Sequence, residues 1–244
     1  MDKEMLTGYF EKLGLAITER QAEQFLLYND ILLEWNSFMN LTAITEPEEV
    51  IIKHFADSCA PLFTENVDFN KEATLIDVGT GAGFPGLPLK IMCPELKVTL
   101  LDSLGKRVKF LNEVIEKLGL SGITAIHSRA EDGAHDKKLR EQFDYAVSRA
   151  VAGMNILAEY CLPYVKCGGS FIAYKSEEFL SDAPGSEQAE SLDALKILGS
   201  DKPEVVEYTL PGTDYKRCLA VIRKHKATSG KYPRKAGTPK SSPL

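Results

Sequence analysis

The run Leu75-Ile76-Asp77-Val78-Gly79-Thr80-Gly81-Ala82-Gly83-Phe84-Pro85-Gly86 limits the possible folds of this chain more than any other segment. An apolar strand pattern ends beside an acid, four glycines follow within eight residues, and a helical pattern then begins. Glycine reaches φ > 0 and lets a ligand approach the backbone, so such a strand-to-helix turn is a nucleotide-type cofactor site in an open α/β sheet. Two spacings overlap in it. Gly79-x-Gly81-x-Gly83 is the form of S-adenosylmethionine (SAM) enzymes, whereas Gly81-x-Gly83-x-x-Gly86 matches the dinucleotide fingerprint of dehydrogenases.

The rest of the chain decides between them. Residues 1–65 read as helical: Thr18 and Gln21 have capping-box spacing, and Phe25, Tyr28, Leu32, Trp35 and Met39 follow at helical intervals. Asn36 to Ile44 breaks that pattern, and Pro47 with Glu48 and Glu49 suits the start of a further helix carrying His54 and Asp57. From about Ala73 the patterns alternate. Strands are predicted over 74–78, 97–102, 122–126, 145–148, 169–174, 204–210 and 217–223, with helices over 86–92, 104–118, 154–160 and 187–198. Alternation of this kind predicts a mostly parallel sheet covered on both faces. Pro211-Gly212-Thr213-Asp214 is too short for a crossover helix, so the last two strands are expected as antiparallel neighbours. Seven strands ending in such a hairpin is the Rossmann-like layout of class I SAM methyltransferases; a dehydrogenase would need a catalytic domain for which no chain remains. The predicted organisation is a helical extension over 1–72, a methyltransferase core over 73–224 and a flexible basic tail over 225–244.

Charge is unevenly distributed. The net formal charge is −6, yet residues 223–244 hold seven Lys/Arg and no acid, leaving −13 for the first 222 residues. The body repels a polyanion and the tail attracts one. Five cysteines without a C-x-x-C pair exclude a zinc framework and suit a reducing cytosol. No signal-peptide pattern or membrane-spanning run is evident, so a cytoplasmic protein without membrane association is expected.

Four groups should lie at the carboxyl ends of the strands, where open α/β sheets bind ligands. Asp77 precedes the glycine turn and either reaches the ammonium of a SAM amino-acid moiety or caps the turn. Asp102 ends the next strand, where a carboxylate binds ribose hydroxyls. Arg129-Ala130-Glu131-Asp132 follows the third strand, near the expected adenine edge. Ser148-Arg149-Ala150 ends the fourth, where arginine suits phosphate or a nucleobase edge, or else a salt bridge to a nearby acid. Lys106, Arg107 and Lys109 occupy a first helical turn, which disfavours cations by about 0.3–1 kcal/mol each, so acids such as Asp102 or an external anion must offset them. The N-P-P-Y/F motif for methylating an exocyclic amine is absent, and Cys93-Pro94 reverses the Pro-Cys of cytosine-C5 enzymes.

Asn40-Leu41-Thr42-Ala43-Ile44, Lys53-His54-Phe55-Ala56-Asp57-Ser58, the glycine loop, Arg129-Ala130-Glu131, Ser148-Arg149-Ala150 and Tyr232-Pro233-Arg234-Lys235-Ala236-Gly237-Thr238-Pro239 together resemble the bacterial RsmG (GidB) family of 16S ribosomal RNA guanine-N7 methyltransferases. Lys175-Ser176 departs from the family's Lys-Gly. The resemblance implies SAM contacts at Gly79, Gly81, Gly83, Phe84, Asp102, Ala130 and Glu131, beside the Asp77 read above, with Arg149 positioning at the cofactor–acceptor boundary. It implies that Asn40, Thr42 and His54 face the acceptor; the charge distribution leaves Lys106, Arg107, Arg234 and Lys235 to engage RNA phosphates. The implied partner is 16S rRNA within the 30S subunit or an assembly intermediate, with no obligate protein partner and no metal. Guanine N7 carries a lone pair and no proton, so in-line attack needs no general base; orientation alone supplies up to about 7–11 kcal/mol. N7 lies on the narrow major-groove edge of A-form RNA, so an unpaired guanine is the expected target. The alternatives are a SAM enzyme acting on a small molecule and a non-catalytic SAM- or RNA-binding regulator.

Overall fold

The computed structural model describes residues 1–244 except Glu65, Asn66, Asp68, Asn70 and Lys71. The end of the helical reading over 1–65 and part of the junction before residue 73 therefore lie outside the described residues.

Four helices precede the first strand: α1 (Lys3–Lys12), α2 (Glu19–Met39), α3 (Pro47–Val50) and α4 (Ala60–Phe63). The capping box at Thr18 and Gln21 is present, and the Gln21 amide also donates to the carbonyls of Ile91 and Met92 at 2.9 and 3.2 Å. That pair of bonds fastens the start of α2 to the methyltransferase core. α2 ends at Asn40 in the left-handed region (φ +50°), a conformation asparagine tolerates better than most residues. Pro47 opens α3 as its spacing predicts, but the chain then widens into a π-helical stretch, Ile51–Ala56. Sequence periodicity does not encode that change of pitch.

The alternating part follows as β1 (Thr74–Val78), α5 (Gly86–Met92), β2 (Lys97–Asp102), α6 (Gly105–Lys117), β3 (Ile123–His127), α7 (Ala130–Gly133), β4 (Phe143–Arg149), α8 (Met154–Cys161), β5 (Val165–Ser176), α9 (Glu187–Ile197), β6 (Glu204–Thr209), β7 (Lys216–Arg223) and α10 (Thr238–Ser241). The sheet order is β3-β2-β1-β4-β5-β7-β6. The first five strands are parallel, and β7 inserts antiparallel between β5 and β6, as the short 211–214 connection requires. The strand order reverses between β1 and β4, and a crevice opens there at their carboxyl ends.

Alternation along the strands divides the apolar residues between two cores. Leu75 and Leu100 point into one with Phe25, Tyr28, Phe55, Leu87 and Phe110; Ile76 and Leu101 point into the other with Leu157, Phe171 and Leu195. The N-terminal helices therefore share a continuous core with one face of the sheet.

The tail differs from its expected flexible state. Residues 225–244 fold back over α7 and α8, with Thr228, Tyr232 and Pro239 buried, and Arg234 engages Glu159 of α8 through Nε and Nη2. The cause is a fully buried carboxylate 75 residues away in sequence, which needs a cation beside it.

Candidate functional site

β1 delivers the glycine turn to the crevice, and its glycines serve two purposes. Gly81 has φ +61°, and a Cβ added there would meet no atom within 4 Å, so the space beside it is open to a ligand. Gly83 and Gly86 are closed in: a Cβ would lie 2.3 Å from Leu87 Cδ1 at the first and 2.4 Å from Leu100 Cδ2 at the second. The third glycine of the dinucleotide spacing is thus a packing glycine for α5. Asp77 is fully buried, and its Oδ2 accepts from Thr80 Oγ1 at 2.6 Å and from Gly86 N at 2.8 Å. It caps the turn from within and does not line the crevice, and its Oδ1 is buried without a hydrogen-bond partner among the described residues. Burial pushes its carboxyl up to about 7, against the lowering effect of those two hydrogen bonds.

Asp102, at the end of β2, accepts from Gly81 N at 3.0 Å through Oδ2 and from Leu104 N at 2.8 Å through Oδ1. Oδ1 keeps a further lone pair for a hydroxyl. Arg107 Nη1 stands 3.5 Å from Oδ2, so the acid offsets one of the awkward first-turn cations. The glycine turn with open space at Gly81 and a fixed carboxylate beside it fits the ribose end of an adenosine cofactor.

The crevice, about 650 Å³, runs from this turn to the ends of β4 and β5. Arg149, at the end of β4, donates through Nη1 to Asp57 Oδ2 at 2.8 Å and to the Lys53 carbonyl at 3.1 Å. Asp57 Oδ1 in turn accepts from the Tyr208 hydroxyl at 2.7 Å. The π-helical stretch, β4 and the terminal hairpin thus converge on one ion pair. The Arg149 guanidinium lies 5.2 Å from the centre of the Phe84 ring, and His54 stacks on the same ring at 4.4 Å and 14°. Thr42 Oγ1 is 2.8 Å from His54 Nε2. Burial, helped by the Arg149 charge, lowers the His54 pKa to about 3, so its imidazole is neutral. His54 Nδ1 is buried without a hydrogen-bond partner among the described residues.

Several expected residues do not themselves line the crevice. Asn40 is exposed, serves as the end of α2 and does not line the crevice; Asn36 Oδ1 instead accepts from Thr42 N at 2.9 Å. Glu131 is buried, and its Oε1 accepts from Gly237 N at 2.9 Å. Ala130 sits in the same short turn, its carbonyl accepting from Tyr164 OH at 2.7 Å. Arg234 is withdrawn from any phosphate by Glu159, whereas Lys235 and Lys106 are exposed. Lys106 borders a second groove with Phe38 and Leu104. Sequence reasoning missed Lys53, Lys175 and Arg217, which line the crevice from three elements and carry no shared motif. No group of three or more His, Cys, Asp or Glu residues among the described residues could hold a metal ion.

A seven-stranded sheet with an antiparallel terminal hairpin and a glycine turn at the switch point defines the class I SAM-dependent methyltransferase fold. Solved structures agree at the level of fold. A variant of the 16S rRNA (adenine(1408)-N(1))-methyltransferase with cosubstrate SAM from Catenulisporales acidiphilia aligns with TM-score 0.52 at 18% identity, covering 64% of this chain and 86% of that one. TYW2 of P. horikoshii in complex with MeSAdo aligns with TM-score 0.53 at 16% identity, covering 71% and 63%. Residues 21–202 match the GidB family, described as rRNA small subunit methyltransferase G, and the chain belongs to that family. Full-length relatives carry the name Ribosomal RNA small subunit methyltransferase G. The one from Alkaliphilus metalliredigens is 50% identical over 99% of this chain and 98% of its own length. The one from Lactobacillus johnsonii is 49% identical over the whole of both.

Proposed function

We propose that the protein is a SAM-dependent methyltransferase acting on N7 of a guanine in small-subunit ribosomal RNA, in the cytoplasm and on a ribosomal particle. The observation that carries the RNA substrate is the charge of the crevice. Lys53, Arg107, Arg149, Lys175 and Arg217 line it against only Asp57 and Glu187, in a protein of net charge −6. A cationic cleft on an acidic body attracts a polyanion locally while the rest of the surface repels it. The name borne by the relatives fits that polarity.

Bound SAM supplies an electrophilic methyl group on a sulfonium. The chain's own residues do the rest by positioning. Asp102 and the Gly81 side of the turn hold the adenosine portion, and Arg149, fixed by Asp57 and the Lys53 carbonyl, presents a rigid donor fork where cofactor and acceptor meet. The stacked Phe84 and His54 rings stand at the wall of the crevice and offer an aromatic surface for a guanine. Among the described residues lining the crevice no free general base is at hand: His54 is too weakly basic, Asp57 is committed to Arg149 and Tyr208, and Glu187 to Lys175 and Met154 N. An acceptor without a proton to lose, such as guanine N7, is the chemistry this leaves. Exposed Lys106 and Lys235, with Arg107 beside Asp102, are the cations left to meet flanking phosphates.

Small-subunit particles lacking the modification, incubated with labelled SAM and the protein, should take label at one guanine N7. Label on another base atom, or on small molecules only, would overturn the reading.

A further inference from the structure

The basic tail makes its firmest contacts with the protein itself. Arg140 donates through Nη1 to the Tyr232 carbonyl at 2.8 Å and through Nη2 to those of Thr228 and Ser229 at 2.8 and 3.2 Å. Glu141 Oε1 accepts from Thr228 N at 2.9 Å and from Lys224 Nζ, itself fully buried, at 2.7 Å. Further along, Arg234 meets Glu159 with its backbone N–H at 2.7 Å, with Nε at 3.0 and 3.2 Å, and with Nη2 at 2.7 Å. His135 Nε2 lies 2.9 Å from the Pro233 carbonyl. These anchors bring Gly237, at φ +87°, over α7, where its N–H donates to Glu131 Oε1 at 2.9 Å. α7 is a single turn of four residues without a side-chain cap of its own. It is held between Tyr164, whose hydroxyl donates to the Ala130 carbonyl, and the tail.

We infer that residues 228–239 form a strap that positions the Ala130–Glu131 turn of the cofactor site, so that Arg234 serves cofactor affinity through Glu159 rather than RNA affinity through phosphate. The inference rests on the reading of Ala130 and Glu131 as the adenine edge of that site. The strap fixes a turn too short to hold its own shape, and it does so with the backbone N–H of a residue in the left-handed region. A tail built as a phosphate arm would leave its arginine in water; here both Glu159 oxygens take it.

The test uses the full chain with Glu159→Leu and Arg234→Met together, which releases the strap without stranding a buried charge. Three measurements are made: amide exchange across residues 130–135 without cofactor, calorimetric binding of S-adenosylhomocysteine, and the salt dependence of RNA binding. The expected result is exchange at least about tenfold faster over 130–135, affinity for S-adenosylhomocysteine weaker by about tenfold, and a slope of log K against log salt changed by less than about 0.7, the value of one phosphate contact. Arg234→Lys, which keeps the charge and loses the fork, should give a smaller loss of the same kind and serves if the double variant does not fold. Unchanged exchange or unchanged affinity in the variant, with normal wild-type binding, overturns the strap alone. Wild-type protein that binds no S-adenosylhomocysteine overturns the cofactor reading and the inference with it. A slope shallower by one or more with unmoved cofactor affinity restores the tail as an RNA arm.

Discussion

Arg149 and Asp57 show how one residue pair joins three elements. Their side chains are 13% and 8% exposed, so removing one partner strands a charge and costs about 3–5 kcal/mol. Asp57→Ala is expected to lower the urea midpoint accordingly, and Asp57→Ala with Arg149→Met should recover most of the loss while leaving methyl transfer abolished. A double variant as unstable as Asp57→Ala would show that the stranded charge is not the cause. Titration separates two other residues of the site. Asp77 is raised from 3.8 to about 7, so between those values the native state keeps a proton that the unfolded chain releases. Its contribution to stability therefore falls as pH rises through that window. His54 is lowered from 6.5 to about 3, so the unfolded chain gains a proton first as pH drops, and stability falls towards acid. From pH 5 to 8 the stability of wild type should decline relative to Asp77→Asn and increase relative to His54→Gln. Denaturant titrations at both pH values check the two signs, which offset one another in the parent.

At the scale of elements, the glycine turn does two jobs that substitution can separate. Ala at Gly83 would press Cβ to 2.3 Å from Leu87 Cδ1 and 2.7 Å from the Tyr28 hydroxyl, with φ at +96°. Overpacking of that kind costs about 1–3 kcal/mol, so Gly83→Ala should reduce thermal stability markedly. Ala at Gly81 meets no atom within 4 Å. Gly81→Ala should cost only about 1–2 kcal/mol of backbone strain yet weaken SAM binding strongly, because the methyl occupies the space left for the ligand. Calorimetry and thermal melts on the two variants give this contrast, and equal effects on both properties would contradict it. The wide π-helical stretch Ile51–Ala56 is the element least visible in advance. Its wider turn is a feature often found at functional sites, and here Lys53, His54 and Asp57 all line the crevice from it or its end.

For the whole molecule, charge placement governs how RNA approaches. Neutralising Arg217 should flatten the dependence of log K on log salt by about 0.7–0.9, while neutralising an exposed lysine far from the crevice, such as Lys12, should leave it unchanged. Binding isotherms across a salt series read this directly. The alternation of strands and helices, the antiparallel end, the glycine turn at β1 and the resemblance to the GidB family were all legible in the sequence, because period, turn chemistry and local motifs act over a few neighbouring residues. The strand ends pointed to Arg149 and the resemblance to Phe84 and His54, and all three line the crevice. Those local signals could not assign Asp77 between its two roles, because burial decides that and burial is a property of the packed core. They could not join Arg149 to Asp57 across 92 residues, Tyr208 to Asp57 across 151 or Arg234 to Glu159 across 75. Nor could they show that the seven basic residues of 223–244 would be divided between solvent and buried partners. A charge in sequence has a sign but no neighbour, and only the tertiary fold supplies the carboxylate that turns an apparent RNA arm inward.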